Sequence, residues 1–189
     1  VCGNIANGSP IGDMPPALIA AGATLVLRQG EATRNLPLEA YFLAYGKQDR
    51  QPGEFVEAVI VPKVPHGRVF KVFKLSKRFD QDISAVCAGI SIGVEGGRVT
   101  DARIAFGGMA ATPKRAAACE AALIGKPWTQ ATVRAAADAL ADDFQPIDDM
   151  RASAGYRLQA AKNLLLRAWL ESAGTKATRV LETQAVAHG

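Results

Sequence analysis

The chain has 189 residues, of which 49% are hydrophobic, 21% charged and 6% aromatic. That balance excludes a disordered chain, a collagen-like repeat and a disulfide scaffold, and the length suits one domain or two small ones sharing a surface. The net charge of +4, from 22 basic and 18 acidic residues, is small and spread along the chain. It lacks the one-sided basic face with stacking aromatics that nucleic-acid binding calls for.

No stretch approaches the ~20 apolar residues of a membrane helix. The N-terminus carries no Met, no basic start and no apolar run, so secretion is not indicated and a cytoplasmic protein is expected. Val1-Cys2-Gly3-Asn4-Ile5 reads like the inside of a domain, which predicts that more polypeptide precedes it. Cys2, Cys87 and Cys119 are far apart, and His66 and His188 are the two histidines. This set cannot build a four-ligand zinc or iron–sulfur site by itself, and the cysteines read as small buried hydrophobes in a reducing compartment.

The predicted elements follow in chain order. Gly3 to Pro16 is a Gly-, Asn-, Ser- and Pro-rich loop. Asp13 followed by Met-Pro-Pro predicts a helix start with a carboxylate cap, the helix running through Ala17–Ala21 and stopping at Gly22. Ala23 to Leu27 alternates like a strand and turns at Gln29-Gly30, Leu38 to Leu43 suits a short helix, and Tyr45 to Gly53 reads as an exposed loop. Phe55 to Val61 predicts a strand ending at Pro62, and Lys63 to Gly67 a connector between two lobes.

Three strand-like runs come next, Arg68–Lys77, Ser84–Val94 and Arg98–Phe106. Gly96-Gly97 between the last two is a hairpin signal, because both central residues of such a turn can need positive φ. The remainder reads as helical. Lys114–Leu123 is Ala-rich, Thr129 caps a helix with Val133, Ala136, Ala137, Leu140 and Phe144 on one face, and Leu158, Ala161, Leu165, Ala168 and Trp169 make a second stripe. The second lobe is therefore expected to be a three-stranded antiparallel sheet under a helical layer, and the first a mixed α/β unit that looks incomplete.

Two segments could carry chemistry. In Gly3–Asp13, glycines 3, 8 and 12 would let backbone approach a ligand, Asn4, Asn7 and Ser9 supply donors, and Asp13 can accept from a hydroxyl. The spacing is neither a dinucleotide fingerprint nor a P-loop, and a loop that merely caps the next helix stays open as the alternative. In Phe70–Ile83, alternation puts Lys74 on one strand face with Phe70 and Val72, where a cation must find an anion, a polar ligand or water. A solvated, charge-paired sheet edge is the alternative there.

These two segments occur in order around Val59-Ile60-Val61-Pro62 and are followed by Tyr156-Arg157-x-x-Ala160-x-x-Asn163-Leu164-Leu165-x-Arg167. Together they resemble the flavin-binding part of xanthine dehydrogenases, over roughly Gly3 to Glu171. Asn4-Ile5-x-x-Gly8-Ser9-Pro10-Ile11-x-Asp13 is specific to that branch, while Lys74-x-x-x-Arg78-x-x-x-Asp82-Ile83 is shared by related molybdenum hydroxylases.

The resemblance implies an α+β fold: the C-terminal part of an FAD-binding α/β domain (1–64), a flavoprotein C-terminal domain with a small three-stranded antiparallel sheet and three helices (65–172), and a tail (173–189). It also implies that Asn4, Ile5 and Asn7 belong to a loop around FAD, that Asp13 hydrogen-bonds the cofactor, that Val56 packs against it and that Lys74 lies beside it. Arg78 and Asp82 would border the flavin cleft.

The implied function is transfer of electrons from molybdenum and iron–sulfur centres through FAD to NAD⁺ during purine oxidation. The implied partners are an upstream iron–sulfur/FAD segment and a molybdopterin-binding large subunit, in a hetero-oligomer. The family's pyrophosphate-binding glycine loop and cysteine-rich iron–sulfur domains are missing from this sequence, so the fragment alone is expected to be inactive. Gln81 stands where a second acidic residue is often found. The rival readings are the flavin subunit of another molybdenum hydroxylase, acting on an aldehyde, CO or an aromatic acyl thioester, and a non-catalytic docking module.

Overall fold

The computed structural model describes residues 2–174. Of the expected tail, 175–189 lie outside the described residues. The first lobe runs α1 (Cys2–Ala6), α2 (Met14–Ala21), β1 (Thr24–Gln29), β2 (Ala32–Pro37), α3 (Leu38–Tyr41), β3 (Phe42–Ala44), β4 (Lys47–Gln48) and β5 (Phe55–Ile60). Its sheet has the order β2-β1-β5, antiparallel throughout, with β3 and β4 forming a separate small hairpin. Ile5, Leu18, Ile19, Leu25, Leu27, Leu38 and Tyr41 are among the side chains that close its core.

Residues 61–67 are exposed and without regular structure. The second lobe follows with β6 (Val69–Leu75), β7 (Val86–Glu95), β8 (Arg98–Gly107), β9 (Lys114–Arg115), α4 (Ala117–Leu123), α5 (Gln130–Asp138), α6 (Leu140–Asp143) and α7 (Ala154–Ser172). The order β6-β7-β8-β9 makes one antiparallel sheet. The β7–β8 hairpin turns at Gly96 and Gly97, both at positive φ (54° and 76°), as the sequence predicted.

The α+β class and the helical layer are as expected. The sheet differs by one element: the three long strands gain a two-residue edge strand, and the helix expected from Lys114 starts three residues later. Arg115 is drawn to Glu120 at 2.6 Å, Lys114 donates to the Asp143 carbonyl, and the Ala116 N–H bonds Ile104 O, so this stretch stays extended along β8. The N-terminus of α4 is then satisfied from a distance, its Ala118 and Cys119 N–H groups donating to the Asp143 carboxylate at 2.9 and 3.0 Å. Thr129 and Ser153 cap α5 and α7 with their hydroxyls.

Strand β7 is buried on both faces. Val86, Ala88, Ile90 and Ile92 pack under the helical layer with Phe106, Leu123, Val133 and Leu165. The alternate residues Cys87, Gly89 and Ser91 face the other way, toward the first lobe. There α2 lies directly on the sheet: a Cβ at Gly89 would stand 2.2 Å from the Pro16 carbonyl oxygen. Lacking that atom, β7 lets the helix backbone touch the strand. No described helix is long and apolar enough to cross a membrane.

Candidate functional site

Helix α2 begins at Asp13 as predicted, but the carboxylate does not cap it. With Pro15 and Pro16 in the first turn, few N–H groups there seek an acceptor. Asp13 turns instead toward the second lobe. Its Oδ2 accepts from Lys74 Nζ at 2.7 Å, and its Oδ1 accepts a short hydrogen bond from the Ser84 hydroxyl. Lys74 sits next to the end of β6, opposite Cys87, while Phe73 points into the core beneath the helices. The cation on the outer face of β6 thus finds its anion on the other lobe, 61 residues away. Asp13 and Lys74 stay 43% and 40% exposed, whereas Ser84 is buried.

The other sequence-predicted residues fall elsewhere. Asn4, Ile5 and Asn7 border or lie in α1 rather than an open loop. Ile5 is in the first core, and Asn4 and Asn7 are exposed, the Asn7 carbonyl accepting from Gln48 Nε2 at 3.1 Å. Gly8 does not make room for a ligand: its φ is 64° and the Phe42 ring fills the space a Cβ would take, 2.8 Å away. Val56 lies half-buried on β5 opposite Leu27, packed against the first core.

Arg78 and Asp82 close a loop on themselves. Asp82 accepts from the Arg78 backbone N–H at 2.8 Å, from the Ile83 N–H at 2.9 Å and from the Arg78 guanidinium at 3.3 Å. The Arg78 N–H above all holds its carboxyl below the usual range. Gln81 takes a left-handed φ of 49°, and Phe79 at the tip is 92% exposed.

A cavity of about 530 Å³ opens beside this loop. Ser76, Lys77, Ala85, Met150, Arg151 and Tyr156 are among its lining residues. It does not include Asp13 or Lys74, but Ala85 follows the serine that bonds Asp13, and Ser76 lies two residues past Lys74. Lys77 Nζ donates to the Met150 carbonyl at 2.6 Å, tying the loop across the cavity. Cys87, under Asp13, is inert: burial, then the Asp13 charge, push its thiol up to about 12. Cys119 is buried likewise, whereas Cys2 is half-buried rather than in the core.

The sequence pattern gives no sign of Ser84. A serine next to a strand start carries no motif, and only the fold shows it facing Asp13.

The residues at the seam suit a flavin. A carboxylate with an open edge can accept from ribityl or ribose hydroxyls and from a ring N–H, and an ammonium can donate to a ring carbonyl or a phosphate oxygen. Both Asp13 oxygens already accept, from Lys74 and from Ser84, but a carboxylate has about four acceptor sites and this one is 43% exposed, so room for a further donor remains.

Similarity to known proteins agrees with this chemistry. Residues 1–64 match the model of the FAD binding domain in molybdopterin dehydrogenase, and residues 71–172 match that of the CO dehydrogenase flavoprotein C-terminal domain. A xanthine dehydrogenase of Oryza sativa is 36% identical over 148 residues, covering 76% of this chain and 11% of the relative. The carbon monoxide dehydrogenase medium chain of Hydrogenophaga pseudoflava is 31% identical over 166 residues, covering 88% of this chain and 58% of that one. A solved structure of carbon monoxide dehydrogenase from the same organism superposes with a TM-score of 0.84 at 32% identity, over 93% of this chain and 61% of its own.

The chain therefore belongs to the FAD-binding domains of the molybdopterin dehydrogenases, the family of carbon monoxide and xanthine dehydrogenases. It spans about three-fifths of the medium chain and about a tenth of the longer xanthine dehydrogenase. Its relatives are molybdenum hydroxylase oxidoreductases, some of them medium chains.

Proposed function

We propose that this chain is the FAD-carrying part of a cytoplasmic xanthine dehydrogenase, where it hands electrons from molybdenum and iron–sulfur centres to NAD⁺ as hypoxanthine and xanthine are oxidised. The contact between Asp13 and Lys74 across the lobe seam carries the reading. It joins the motif that resembles the xanthine dehydrogenase branch, ending at Asp13, to the Lys74 motif shared by related molybdenum hydroxylases in one polar site. The bound flavin supplies the step from single electrons to hydride; the protein supplies its placement and electrostatics.

In this reading Asp13 accepts from the cofactor, Lys74 keeps that carboxylate oriented and adds a positive charge, and Ser84 fixes the carboxylate's far oxygen. Asn4, Ile5, Asn7 and Val56 contribute the first lobe's share of the flavin surroundings, and the Arg78–Asp82 loop borders the cleft. The adjoining cavity, with Lys77, Arg151 and Tyr156, has charge and size suited to a nucleotide acceptor. Partners are an iron–sulfur/FAD segment upstream and a molybdopterin-binding large subunit.

The test uses the assembled enzyme. Asp13→Ala and Lys74→Ala are expected to lower flavin content or slow NADH formation from xanthine. Full flavin and full NADH formation in both variants would sink the site assignment. A second reading, the flavin part of a CO- or aldehyde-oxidising relative, is favoured by the close superposition on carbon monoxide dehydrogenase. Turnover of CO or an aldehyde, with none of xanthine, would select it.

A further inference from the structure

Arg157 is a charged side chain only 1% exposed, placed in the first turn of α7. Its Nη1 donates to two carbonyl oxygens, those of Ala85 and Gly108, the second at 2.9 Å. Its Nη2 donates to Asp149 Oδ1 at 2.6 Å, and its Nε has no partner. Both carbonyls lie just outside strand ends, Ala85 before β7 and Gly108 after β8. Both backbone segments also hold the Pro10–Asp13 turn. Ser84, next to Ala85, bonds the Asp13 carboxylate, and the Gly108 N–H donates to the Pro10 carbonyl at 2.6 Å.

One guanidinium therefore grips from below the two pieces of chain that grip the turn from above. Space is tight there: a Cβ on Gly108, whose φ is 80°, would stand 2.3 Å from the Ala85 oxygen and 3.1 Å from Arg157 Nη1.

A buried charge is a poor way to gain stability, because desolvation offsets most of the attraction. What a forked donor gives that an apolar side chain cannot is fixed geometry. We propose that Arg157 is a positioning residue for Asp13, setting the height and orientation of the flavin-facing carboxylate through Ser84–Ala85 and Gly108. Asp149, on the loop that lines the neighbouring cavity, orients the guanidinium in turn. The flavin part of this inference rests on the reading of Asp13 as a cofactor contact; the positioning part does not.

The assembled enzyme carrying Arg157→Lys, Arg157→Met, Asp13→Asn or Arg157→Met with Asp13→Asn separates the two. Amide hydrogen exchange at Ile11–Asp13 is expected to quicken at least ten-fold in both Arg157 variants, with that of Val133–Ala137 in the helical layer unchanged. The Kd for FAD is expected to rise at least ten-fold in Arg157→Met and less in Arg157→Lys, which keeps a charged donor group but not the planar fork. Because Arg157 acts through Asp13, the double variant should bind FAD within two-fold of Asp13→Asn alone.

Unchanged exchange in Arg157→Lys, or losses that multiply in the double variant, would overturn the proposal. If Asp13→Asn binds FAD as tightly as the parent, the flavin reading falls and the exchange result by itself decides whether Arg157 sets the turn. Should Arg157→Met fail to fold, the exchange rates of Arg157→Lys alone decide between a positioned and an unpositioned turn.

Discussion

The two lobes bury their sheets differently. In the second, β7 and β8 are covered on one face by α4 and α7, on which α5 packs, and on the other by α2, so β7 runs as Val86-Cys87-Ala88-Gly89-Ile90-Ser91-Ile92 with every residue buried. In the first, β1 alternates between buried and partly exposed positions, and β5 leaves Phe55 and Ile60 about half exposed. The second lobe is a closed scaffold that borrows one helix from the first; the first is one-sided. The candidate site lies where the borrowed helix begins. A polar contact placed there is held by a rigid sheet below and reached from the open lobe above, which suits a cofactor site better than either core would.

Cutting the same side chain from each core tests whether the two lobes unfold as one unit. Leu165 and Leu25 are both fully buried, and truncation to Ala is expected to cost each about 2–5 kcal/mol. Because α2 packs on β7 and β8, both variants should lower one shared unfolding transition. Two separate calorimetric transitions, only one of them moved by Leu25→Ala, would show that the lobes unfold independently.

Two glycines, one at the seam and one in the open lobe, should respond in opposite ways. Gly89→Ala pushes a methyl group into the Pro16 backbone, and the helix must lift. The expected loss is about 3 kcal/mol, the upper end of ordinary overpacking, with weaker flavin retention. Gly3→Ala, in α1 with nothing within 4 Å of the added atom, is expected to be neutral or stabilising by about 0.5 kcal/mol. Urea titration of both variants gives the two values side by side.

How far the sequence reached follows the same division. The second lobe was legible because its patterns are those of a fully enclosed scaffold: apolar runs for strands, a Gly-Gly hairpin, two helical stripes and the Thr129 cap; the matching cap at Ser153 shows only in the fold. The first lobe was harder. β2 escaped notice because Ala32-Thr33-Arg34-Asn35-Leu36-Pro37 buries only Leu36 and offers no alternation; it is held by pairing with β1 and by Arg34, which reaches Glu54 at 2.7 Å. Glycine content misled at Gly8, whose missing side chain serves the Phe42 ring. The side-chain cap expected of Asp13 is not made, because capping is a local rule and the lysine that wins the carboxylate is contributed by the other lobe. Ser84 and the buried hub at Arg157 belong to tertiary structure, and residue type alone does not announce them.

The hub supplies a pH-dependent prediction of smaller size. Burial works against the charge on Asp149, but the Arg151 and Ala152 N–H groups and the Arg157 guanidinium outweigh it and hold its carboxyl at about 2. A carboxyl lowered on folding contributes stability above its unfolded value near 3.9, and that contribution fades as pH falls toward 2. Asp149→Asn should therefore lower the urea midpoint at pH 7, with the gap to the parent narrowing between about pH 4 and 2. A gap that is constant over that range would mean the carboxylate is not what holds Arg157.

At the site itself the expected effect on stability is also small. Asp13 and Lys74 are each about two-fifths exposed, and an ion pair with that much solvent contributes between nothing and about 1 kcal/mol, less in high salt. Lys74→Met keeps the aliphatic stem beside Val72 on the outer face of β6 and removes only the charge, so its unfolding midpoint should match the parent's within that margin. Its affinity for FAD should nevertheless fall several-fold if, as proposed, the lost group serves the cofactor rather than the core. Equal losses in stability and in flavin affinity would instead make the pair a seam fastener between the lobes. A stability change near zero together with weakened flavin binding would assign the pair to the ligand, and would set the scaffold of the second lobe apart from the chemistry it supports.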